Sequence, residues 1–337
     1  MPIDVHTHYV PPTILEALET RAGEFGITVG GGPTPCNCAL HFDYGLKLRP
    51  FFPPLVETED ERLAGMARQG VERQVLSIWG DIFGYGLTGA AAASWHRLLN
   101  EHLARVCERH PDRFSMLASV PLPDAQAAAA ELQRAVNQHG ALGVIVAANV
   151  NGENLGEFDL DPLWQTAVDL DVGVFIHPVE PVPAPRARRW ALAQIAQYTY
   201  DTTLCVGSLI NTGVLDRFAK LRLLLSHGGG TFPYLTGRFD RMHQVMDRAA
   251  QGNVAELEPS GYLPRFYYDT VVHDPAILAW LAGRVGVDRI VLGSDYSFPP
   301  ADPDPVTIVR TAGFSAADQA RILETNPLDL FPRLRGD

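Results

Sequence analysis

Apolar segments of strand length recur along the whole chain, and segments with helical patterning separate most of them. The strand-like segments span residues 3–8, 72–79, 114–120, 142–148, 172–176, 221–226, 266–270 and 289–293. The helical patterns span residues 58–69, 90–110, 124–139, 161–170, 202–220, 232–250 and 274–285. Eight strands that alternate with helices indicate the α/β class and predict a closed (β/α)8 barrel, the TIM barrel.

An open, doubly wound sheet uses the same alternation of strands and helices. That fold would place a glycine-rich phosphate-binding turn after its first strand, where this chain has His-Tyr-Val-Pro-Pro at 8–12. Three glycines at 228–230 follow a later strand, but they lack the spacing of a dinucleotide fingerprint and the Lys-Ser/Thr of a P-loop. We therefore favour the closed barrel and interpret the three glycines as a tight turn.

The chain is interpreted as a single barrel domain over residues 1–337, because this fold accommodates such a length without dividing. Its hydrophobic content of 46% supports a large core. Residues 11–56 are irregular, since Gly-Gly-Gly-Pro at 30–33 and Phe-Phe-Pro-Pro at 51–54 interrupt any long period. Long excursions in compact domains are usually functional. We predict that 11–56 is an inserted subdomain or lid beside the carboxyl end of the first strand.

The net charge of −12 argues against nucleic acid and acidic membrane surfaces as partners, because both need a basic face. A small anionic substrate remains compatible with this charge, since a few arginines inside a pocket can override the overall balance. No apolar run reaches membrane-spanning length, and the chain opens into a strand without a basic segment or an apolar signal region. We expect a cytoplasmic protein.

The four cysteines show neither paired zinc-finger spacing nor the pattern of a disulfide framework. Cys36 and Cys38 lie close together in a Gly/Pro-rich loop, but two thiols without further partners do not make a metal site. Cys107 and Cys205 lie in helical patterns and are predicted to be core residues.

Unusual polar residues fall where several predicted strands end. In a (β/α)8 barrel the carboxyl ends of all strands meet at one rim, which carries the function. The residues that this rule brings together are His6 and His8 from the first strand, His177 from the fifth, His227 from the sixth and Asp295 from the eighth. His6 and His8 are two residues apart, so they project from the same face of their strand.

Each of these five residues has an ordinary alternative when it is taken alone. A histidine at a strand end is often a hydrogen-bonded core residue, and a strand-terminal aspartate is often a cap. Their common place on one rim favours function. Three imidazoles and a carboxylate suit a borderline divalent metal such as zinc, with one position open for water or substrate.

Sequence motifs surround these residues. They are His-Thr-His at 6–8, His-Pro at 177–178, Ser-His-Gly-Gly-Gly at 226–230, Phe-Pro-Tyr at 232–234 with Gly-Arg at 237–238, Phe-Tyr-Tyr-Asp at 266–269, His-Asp-Pro at 273–275 and Gly-Ser-Asp-Tyr-Ser-Phe-Pro at 293–299. Together they resemble the amidohydrolase superfamily, in the branch of metal-dependent decarboxylases typified by 2-amino-3-carboxymuconate-6-semialdehyde decarboxylase. The resemblance covers most of residues 58–331 and is weakest at 11–56.

The resemblance implies a metal centre and an acid/base residue. His6, His8, His177 and Asp295 would hold one Zn²⁺ per chain, with another divalent metal such as Mn²⁺ as the alternative. His227 would be the acid/base residue beside the metal. Many superfamily members hold two metals with a bridging lysine, but the only lysine near a predicted strand end is Lys220, at the start of the sixth strand. A mononuclear centre is therefore favoured.

The resemblance also implies a homodimer and two arginines that grip a substrate carboxylate. Arg238 matches the arginine that a neighbouring subunit donates, and Arg49 is the nearest candidate for the one from the loop after the first strand. For both, the alternative is a solvated surface arginine. Trp190 is a candidate to stack on a planar substrate, with a core position as its alternative. His273 is a candidate pocket residue, with Asp274 beside it as a helix cap.

These observations predict a zinc-dependent non-oxidative decarboxylase that acts on a planar unsaturated, hydroxy-aromatic or hydroxypyridine carboxylic acid. In one route a metal-activated water adds to the substrate before CO2 leaves; in the other, substrate oxygens bind the metal and Asp295 or His227 protonates the ring carbon. The alternative function is a metal-dependent hydrolase or hydratase of the same superfamily, which would consume water without releasing CO2. A barrel that binds metal only for structure is the third hypothesis.

Overall fold

The computed structural model describes residues 1–31, 38–179 and 185–335. Its main sheet contains eight parallel strands, and their order across the sheet is their order along the chain. The strands are β1 Ile3–His8, β2 Arg73–Ser77, β3 Phe114–Ala118, β4 Gly143–Ala147, β5 Gly173–His177, β6 Arg222–Leu225, β7 Phe266–Asp269 and β8 Ile290–Val291. This is the strand order of a (β/α)8 barrel.

Helices follow the strands along the chain. The α-helices are Pro12–Arg21, Glu59–Gln69, Gly89–Arg109, Ala125–His139, Asp161–Asp169, Tyr198–Asn211, Val214–Arg217, Phe232–Val245, Pro275–Val285, Pro305–Thr311, Ala316–Ala320 and Asn326–Leu330. Thr58 caps the second of them in a capping box with Glu61, as the sequence predicts. Within the described ranges, no helix is both long and apolar enough to cross a membrane.

The first and last strands meet and close the sheet. Val5 N donates a hydrogen bond to Leu292 O at 2.9 Å, and Asp295 N donates one to His6 O at 2.9 Å. An open doubly wound sheet would leave these two strands as free edges. The predicted closed barrel is therefore confirmed.

Barrel strands are buried on both faces, which explains why they are continuous apolar runs in the sequence. In β4 every residue is buried. Side chains that point inward fill the barrel, while those that point outward pack beneath the helices. β8 is shorter than predicted, because from Leu292 onward the chain leaves the strand ladder: Leu292 N donates to Ile322 O.

Two predicted helices have different bounds in the structure. The single helix predicted at 202–220 is two helices in the structure, and the first begins earlier, at Tyr198. Gly213 separates the two helices because it takes a left-handed φ of +69°. The pattern at 232–250 ends at Val245, since Met246 is extended. The Asp247 side chain then accepts a hydrogen bond from Ala250 N, which favours a turn over continued helix.

The prediction that 11–56 is irregular is wrong for much of this stretch. It contains the helix Pro12–Arg21 and an antiparallel hairpin of Ile27–Gly31 with Cys38–Phe42. Glycine and proline at 30–33 indicated a break, but tertiary pairing draws the first two glycines into a strand. Cys36 lies outside the described residues. Whether 11–56 acts as a subdomain or lid stays a prediction.

The other cysteines lie in different environments. Cys205 is buried in the core, as predicted, whereas Cys107 is only half-buried. Cys107 packs against the hydrophobic core without being fully buried. Cys107 and Cys205 are free thiols.

A buried histidine makes the stability of the barrel pH-dependent. His96 Nδ1 lies 3.0 Å from Ser119 Oγ, and burial lowers the pKa of this imidazole from its ordinary 6.5 to about 3. Below pH 6.5 the imidazole of His96 is therefore protonated in the unfolded chain, whereas in the folded chain it stays neutral down to about pH 3. The contribution of His96 to stability is complete above pH 6.5 and is lost as the pH falls, at up to about 1.4 kcal/mol per pH unit.

We expect His96→Gln to flatten the pH dependence of the free energy of unfolding between pH 6.5 and 5. Chemical denaturation of the metal-free wild type and variant at several pH values measures this slope. The wild type should lose stability more steeply than the variant, since both share every other titrating group. Parallel slopes would contradict the assignment.

Candidate metal centre

Four side chains from three parts of the chain converge at the carboxyl ends of the strands. His6 and His8 belong to β1, His177 ends β5, and Asp295 follows β8. Each offers one ligand atom, and these four atoms lie within 4.8 Å of one another. All four residues are buried. The structure thus brings together the set that the sequence predicts as metal ligands.

The four ligand atoms face one another around a common centre. Asp295 Oδ1 lies 3.0 Å from His6 Nε2, 3.4 Å from His8 Nε2 and 3.7 Å from His177 Nε2. Within the described part of the chain, none of these atoms has a hydrogen-bond partner. Buried polar atoms rarely remain unpaired. Three imidazole nitrogens and one carboxylate oxygen fit a divalent metal ion, so these residues form a buried site for one.

Neighbouring groups orient two of the imidazoles. His6 Nδ1 lies 2.6 Å from Asp269 Oδ2, and His8 Nδ1 lies 3.2 Å from Ser77 Oγ. A hydrogen bond at Nδ1 leaves the lone pair of Nε2 directed toward the centre. Partners of this kind fix the tautomer and ring orientation of metal-ligating histidines.

The electrostatics of the site favour a positive charge at its centre. Burial lowers the pKa of His8 to about 4. Burial would also lower the pKa of His6, but the carboxylates of Asp295 and Asp269 raise it to about 10. Burial would raise the pKa of Asp295, yet the surrounding imidazoles hold it well below its usual range. Without metal, His6 therefore carries a proton that a bound cation would displace.

His227 lies beside the four ligands without belonging to them. Its Nε2 is 3.5 Å from Asp295 Oδ2, on the oxygen that is not shared with the other three histidines. His227 opens a short 3₁₀ turn with φ of +54°. Gly228 continues the turn with φ of +60°, and a Cβ at this position would lie 2.6 Å from Val272 Cγ1. The glycines at 228–230 therefore form a tight barrel turn, as predicted.

Asp269 is the residue that sequence reasoning missed. Its Oδ2 accepts a hydrogen bond from His227 N at 2.9 Å in addition to its contact with His6, and its Oδ1 accepts one from Gly228 N at 2.8 Å. One buried carboxylate thus aligns a metal ligand and the adjacent histidine. Because Asp269 ends β7, the rule that selected the other strand ends could have selected it too.

A cavity of about 500 Å³ opens from the metal centre. Its lining combines residues of the centre with apolar and aromatic side chains: Arg49, Phe52, Trp79, Gly80, Asp81, His177, Pro178, Val179, Ala191, Gln194, Tyr198, His227, Asp295, Phe298, Pro299 and Pro300. The Arg49 guanidinium stacks over the Phe52 ring at 4.5 Å and approaches Asp81 Oδ2 to 3.8 Å. Arg49 therefore places a cation at the cavity wall, and its binding of a substrate carboxylate stays a prediction.

Three predicted substrate-binding residues are not among those that line this cavity. Trp190 is 78% exposed, so the alternative that it is a core residue is wrong. His273 and Arg238 are exposed as well. Asp274, next to His273, caps the helix Pro275–Val285 by accepting from Ala276 N at 2.7 Å. The structure of one chain does not bring Trp190, His273 or Arg238 to the metal centre.

A closed barrel with three histidines and an aspartate around a buried metal site at its carboxyl rim defines a class of metal-dependent barrel enzymes. The chain belongs to the amidohydrolase family, whose sequence profile, described as Amidohydrolase, matches residues 3–333. The family that the motifs indicate is therefore confirmed.

Relatives cover nearly the whole chain. A protein from Dictyostelium discoideum named 2-amino-3-carboxymuconate-6-semialdehyde decarboxylase is 30% identical over 332 residues, which are 97% of this chain and 90% of the relative. The structure of 5-carboxyvanillate decarboxylase from Sphingomonas paucimobilis matches with a TM-score of 0.82 and 23% identity over 98% of each chain. A dihydroxybenzoic acid decarboxylase from Polaromonas sp. JS666, with bound manganese and 2-nitroresorcinol, matches with a TM-score of 0.78 and 22% identity over 99% of this chain and 98% of the other. These relatives agree with the predicted class, a metal-dependent carboxy-lyase.

Proposed function

We propose that this chain is a non-oxidative decarboxylase of a planar hydroxy-aromatic or unsaturated carboxylic acid, with Zn²⁺ in the site of His6, His8, His177 and Asp295. One observation carries the proposal. The metal site, the guanidinium of Arg49 and His227, which is not one of the four ligands, share one largely apolar cavity. This combination serves a substrate that has a flat apolar body and a carboxylate. The decarboxylase names of the relatives support the reaction type.

The cavity walls match a ring better than a flexible chain. Phe52, Trp79 and Phe298 present aromatic surfaces within a volume of about 500 Å³. Aromatic faces pack against planar ligands by stacking or edge contacts. Arg49 can meet a carboxylate with two parallel hydrogen bonds, which orients the group that is to leave. The substrate is therefore a ring or conjugated acid of modest size.

Decarboxylation breaks the bond between the carboxylate carbon and the ring, and the bonding electrons stay on the ring carbon. A divalent metal, when bound, supplies a Lewis acid that polarises a substrate oxygen and so draws these electrons away. The ring carbon then takes a proton as CO2 departs. We assign the transfer of this proton to His227, and the position of its Nε2 beside Asp295 on the cavity wall supports the assignment. Asp295 is the alternative donor of this proton. The apolar walls restrict the access of water to the cavity.

Zinc is the metal we propose, because imidazole nitrogens and a carboxylate oxygen are among its usual ligands. Four protein ligands would fill a tetrahedral shell, so a substrate oxygen or water would bind by expansion to five-coordination. Manganese is the alternative, in line with the manganese bound in the Polaromonas decarboxylase. The decisive experiment is a screen for CO2 release from carboxylated muconate semialdehydes, hydroxybenzoates and hydroxypyridine carboxylates, with Zn²⁺ or Mn²⁺ present. Turnover that consumes water without CO2 would instead support the hydrolase or hydratase.

We also propose a homodimer in which Arg238 completes the partner's site. Arg238 is exposed on the helix Phe232–Val245, and large apolar side chains are exposed on this helix and on Tyr198–Asn211. These side chains are Tyr200, Leu204, Tyr234, Met242 and Val245. Exposed apolar surface of this kind is typical of a protein interface.

Mixing two variants that are impaired at low substrate concentration tests both arginines at once. Arg49→Ala and Arg238→Ala should each raise KM by roughly 10- to 100-fold, because each removes a charged hydrogen-bond donor to the substrate carboxylate. In a mixed dimer one site lacks both arginines and the other has both. After subunit exchange, about a quarter of wild-type activity should therefore return. Arg241→Ala, on the same exposed helix, is the matched control. A mixture that is no more active than the two separate variants would reject donation of Arg238 across the interface.

A further inference from the structure

A buried arginine lies outside the cavity and directly behind the metal centre. Arg62, on the helix Glu59–Gln69, has no exposed side-chain surface. Its guanidinium packs between the rings of Tyr9 and Tyr296, at 4.9 and 5.1 Å from their centroids. Burial lowers the pKa of this group. Burying a charge costs free energy, so the buried position of the Arg62 guanidinium indicates a specific role.

The hydrogen bonds of Arg62 join the two ends of the chain. Nη1 donates to His8 O at 3.1 Å and to Ser297 Oγ at 3.3 Å. Ser297 Oγ in turn donates to His8 O at 3.2 Å. His8 is a ligand from β1, and Ser297 lies two residues after the ligand Asp295. One guanidinium therefore holds the backbone of one ligand against the loop that carries another.

β8 ends at Val291, and the loop that follows carries Asp295. Single backbone hydrogen bonds join this loop to β1: Val5 N donates to Leu292 O, Asp295 N to His6 O and His8 N to Tyr296 O. Asp295 itself has φ of +61°, a conformation that costs energy for a residue with a Cβ. Such a conformation persists only where its surroundings fix it. The contacts of Arg62 and Ser297 add to the backbone hydrogen bonds and fix the loop on the side away from the cavity.

Further contacts hold the guanidinium in one orientation. Its Nε donates to Gln74 Oε1 at 2.9 Å, and Nη1 lies 3.6 Å from Glu57 Oε1. Glu57 also accepts a hydrogen bond from the Tyr296 hydroxyl at 2.9 Å. Arg62 is thus fixed by β2 and by the segment before its own helix, neither of which carries a metal ligand. The arrangement requires the fork of an arginine, because donors point in several directions at once.

We propose that Arg62 is a positioning residue that sets the metal affinity of the site by fixing His8 and Asp295 relative to each other. It touches neither the cavity nor any of the four ligand atoms. Changes in groups that support metal ligands typically weaken metal binding by about 10- to 100-fold. This inference rests on the metal site alone and holds whichever reaction the enzyme performs.

The test compares metal affinity with fold stability. Arg62→Met and Arg62→Lys are prepared metal-free, and their Kd for Zn²⁺ is measured by competition with a chelator; melting of the metal-free proteins gives their stability. We expect Arg62→Met to bind Zn²⁺ roughly 10- to 100-fold more weakly and Arg62→Lys to lie in between, because lysine keeps the charge but loses the fork. Arg68→Met, an exposed arginine on the same helix, is the matched control.

Two results would overturn the proposal. A lower melting temperature of the metal-free protein with an unchanged Kd would make Arg62 a structural residue only. If Arg62→Met does not fold, Arg62→Lys decides the question, and a wild-type Kd in that variant rejects the role. Ser297→Ala gives a further check, because it removes the side chain that links Arg62 to the loop, and it should weaken Zn²⁺ binding without loss of the guanidinium.

Discussion

Replacing His227 with asparagine is expected to lower kcat by about 10²- to 10⁴-fold, the usual contribution of a positioned acid/base group. The imidazole faces Asp295 Oδ2 at 3.5 Å and lines the cavity, so it is near the atoms that exchange a proton. Asparagine keeps the polarity and approximate size of the side chain but cannot transfer a proton. KM should change little, because Arg49 and the aromatic walls bind the substrate.

Metal content separates this effect from damage to the site. His227 is not one of the four converging ligands, so the variant should hold as much metal as the wild type when measured by elemental analysis. His139→Asn, at the end of the helix Ala125–His139, is a matched histidine change away from the cavity. Wild-type turnover in His227→Asn would show that His227 does not transfer the proton, and Asp295 would then be the proton donor.

Local periodicity was enough to predict the first half of the metal site. Side chains alternate along a strand, so His6 and His8 had to share a face, and β1 has the bounds that the sequence predicts. The rim rule added His177 and Asp295, because parallel strands in a closed barrel present all their carboxyl ends together. These inferences depend on geometry that repeats in every such barrel, which is why they transfer from sequence to structure.

The supporting residues could not be predicted in the same way. Arg62 and His8 are 54 residues apart, and Arg62 and Ser297 are 235 apart. Their meeting depends on how one helix packs beneath the closing strands, which no local pattern encodes. Arg62 in the sequence is one charged position of a capped amphipathic helix, and charged positions of such helices are usually solvated.

The candidate substrate-binding residues differ in where the structure places them, for a related reason. Arg49 reaches the cavity although it belongs to the stretch with the weakest pattern, whereas Trp190 is largely exposed. Loop residues take their position from tertiary contacts, such as the stacking of Arg49 on Phe52, rather than from periodicity. The sequence therefore located the chemistry of the rim better than the surfaces that select a substrate.

Removing the metal is expected to abolish activity completely, and one equivalent of Zn²⁺ or Mn²⁺ per chain should restore it. Mg²⁺ should fail, because it prefers an octahedral shell of oxygens over three imidazoles. Metal binding should also stabilise the fold by mass action, by about 2.7 kcal/mol when free metal exceeds Kd 100-fold. Dialysis against a chelator, metal analysis, CO2 release and thermal melting measure these effects. Full activity with well under one divalent ion per chain would reject the metal-dependent mechanism.

The pH dependence of metal binding makes this prediction sharper. In the metal-free protein the carboxylates of Asp295 and Asp269 raise the pKa of His6 to about 10, while burial lowers that of His8 to about 4. Between pH 6 and 9 a metal ion must therefore displace one proton, from His6, and none from His8. The affinity for Zn²⁺ should fall about tenfold for each unit that the pH drops. Asp269→Asn removes one of the charges that hold this proton, so the pH above which the affinity stops rising should be lower in this variant than in the wild type. An unchanged pH would show that Asp295 alone sets the protonation of His6.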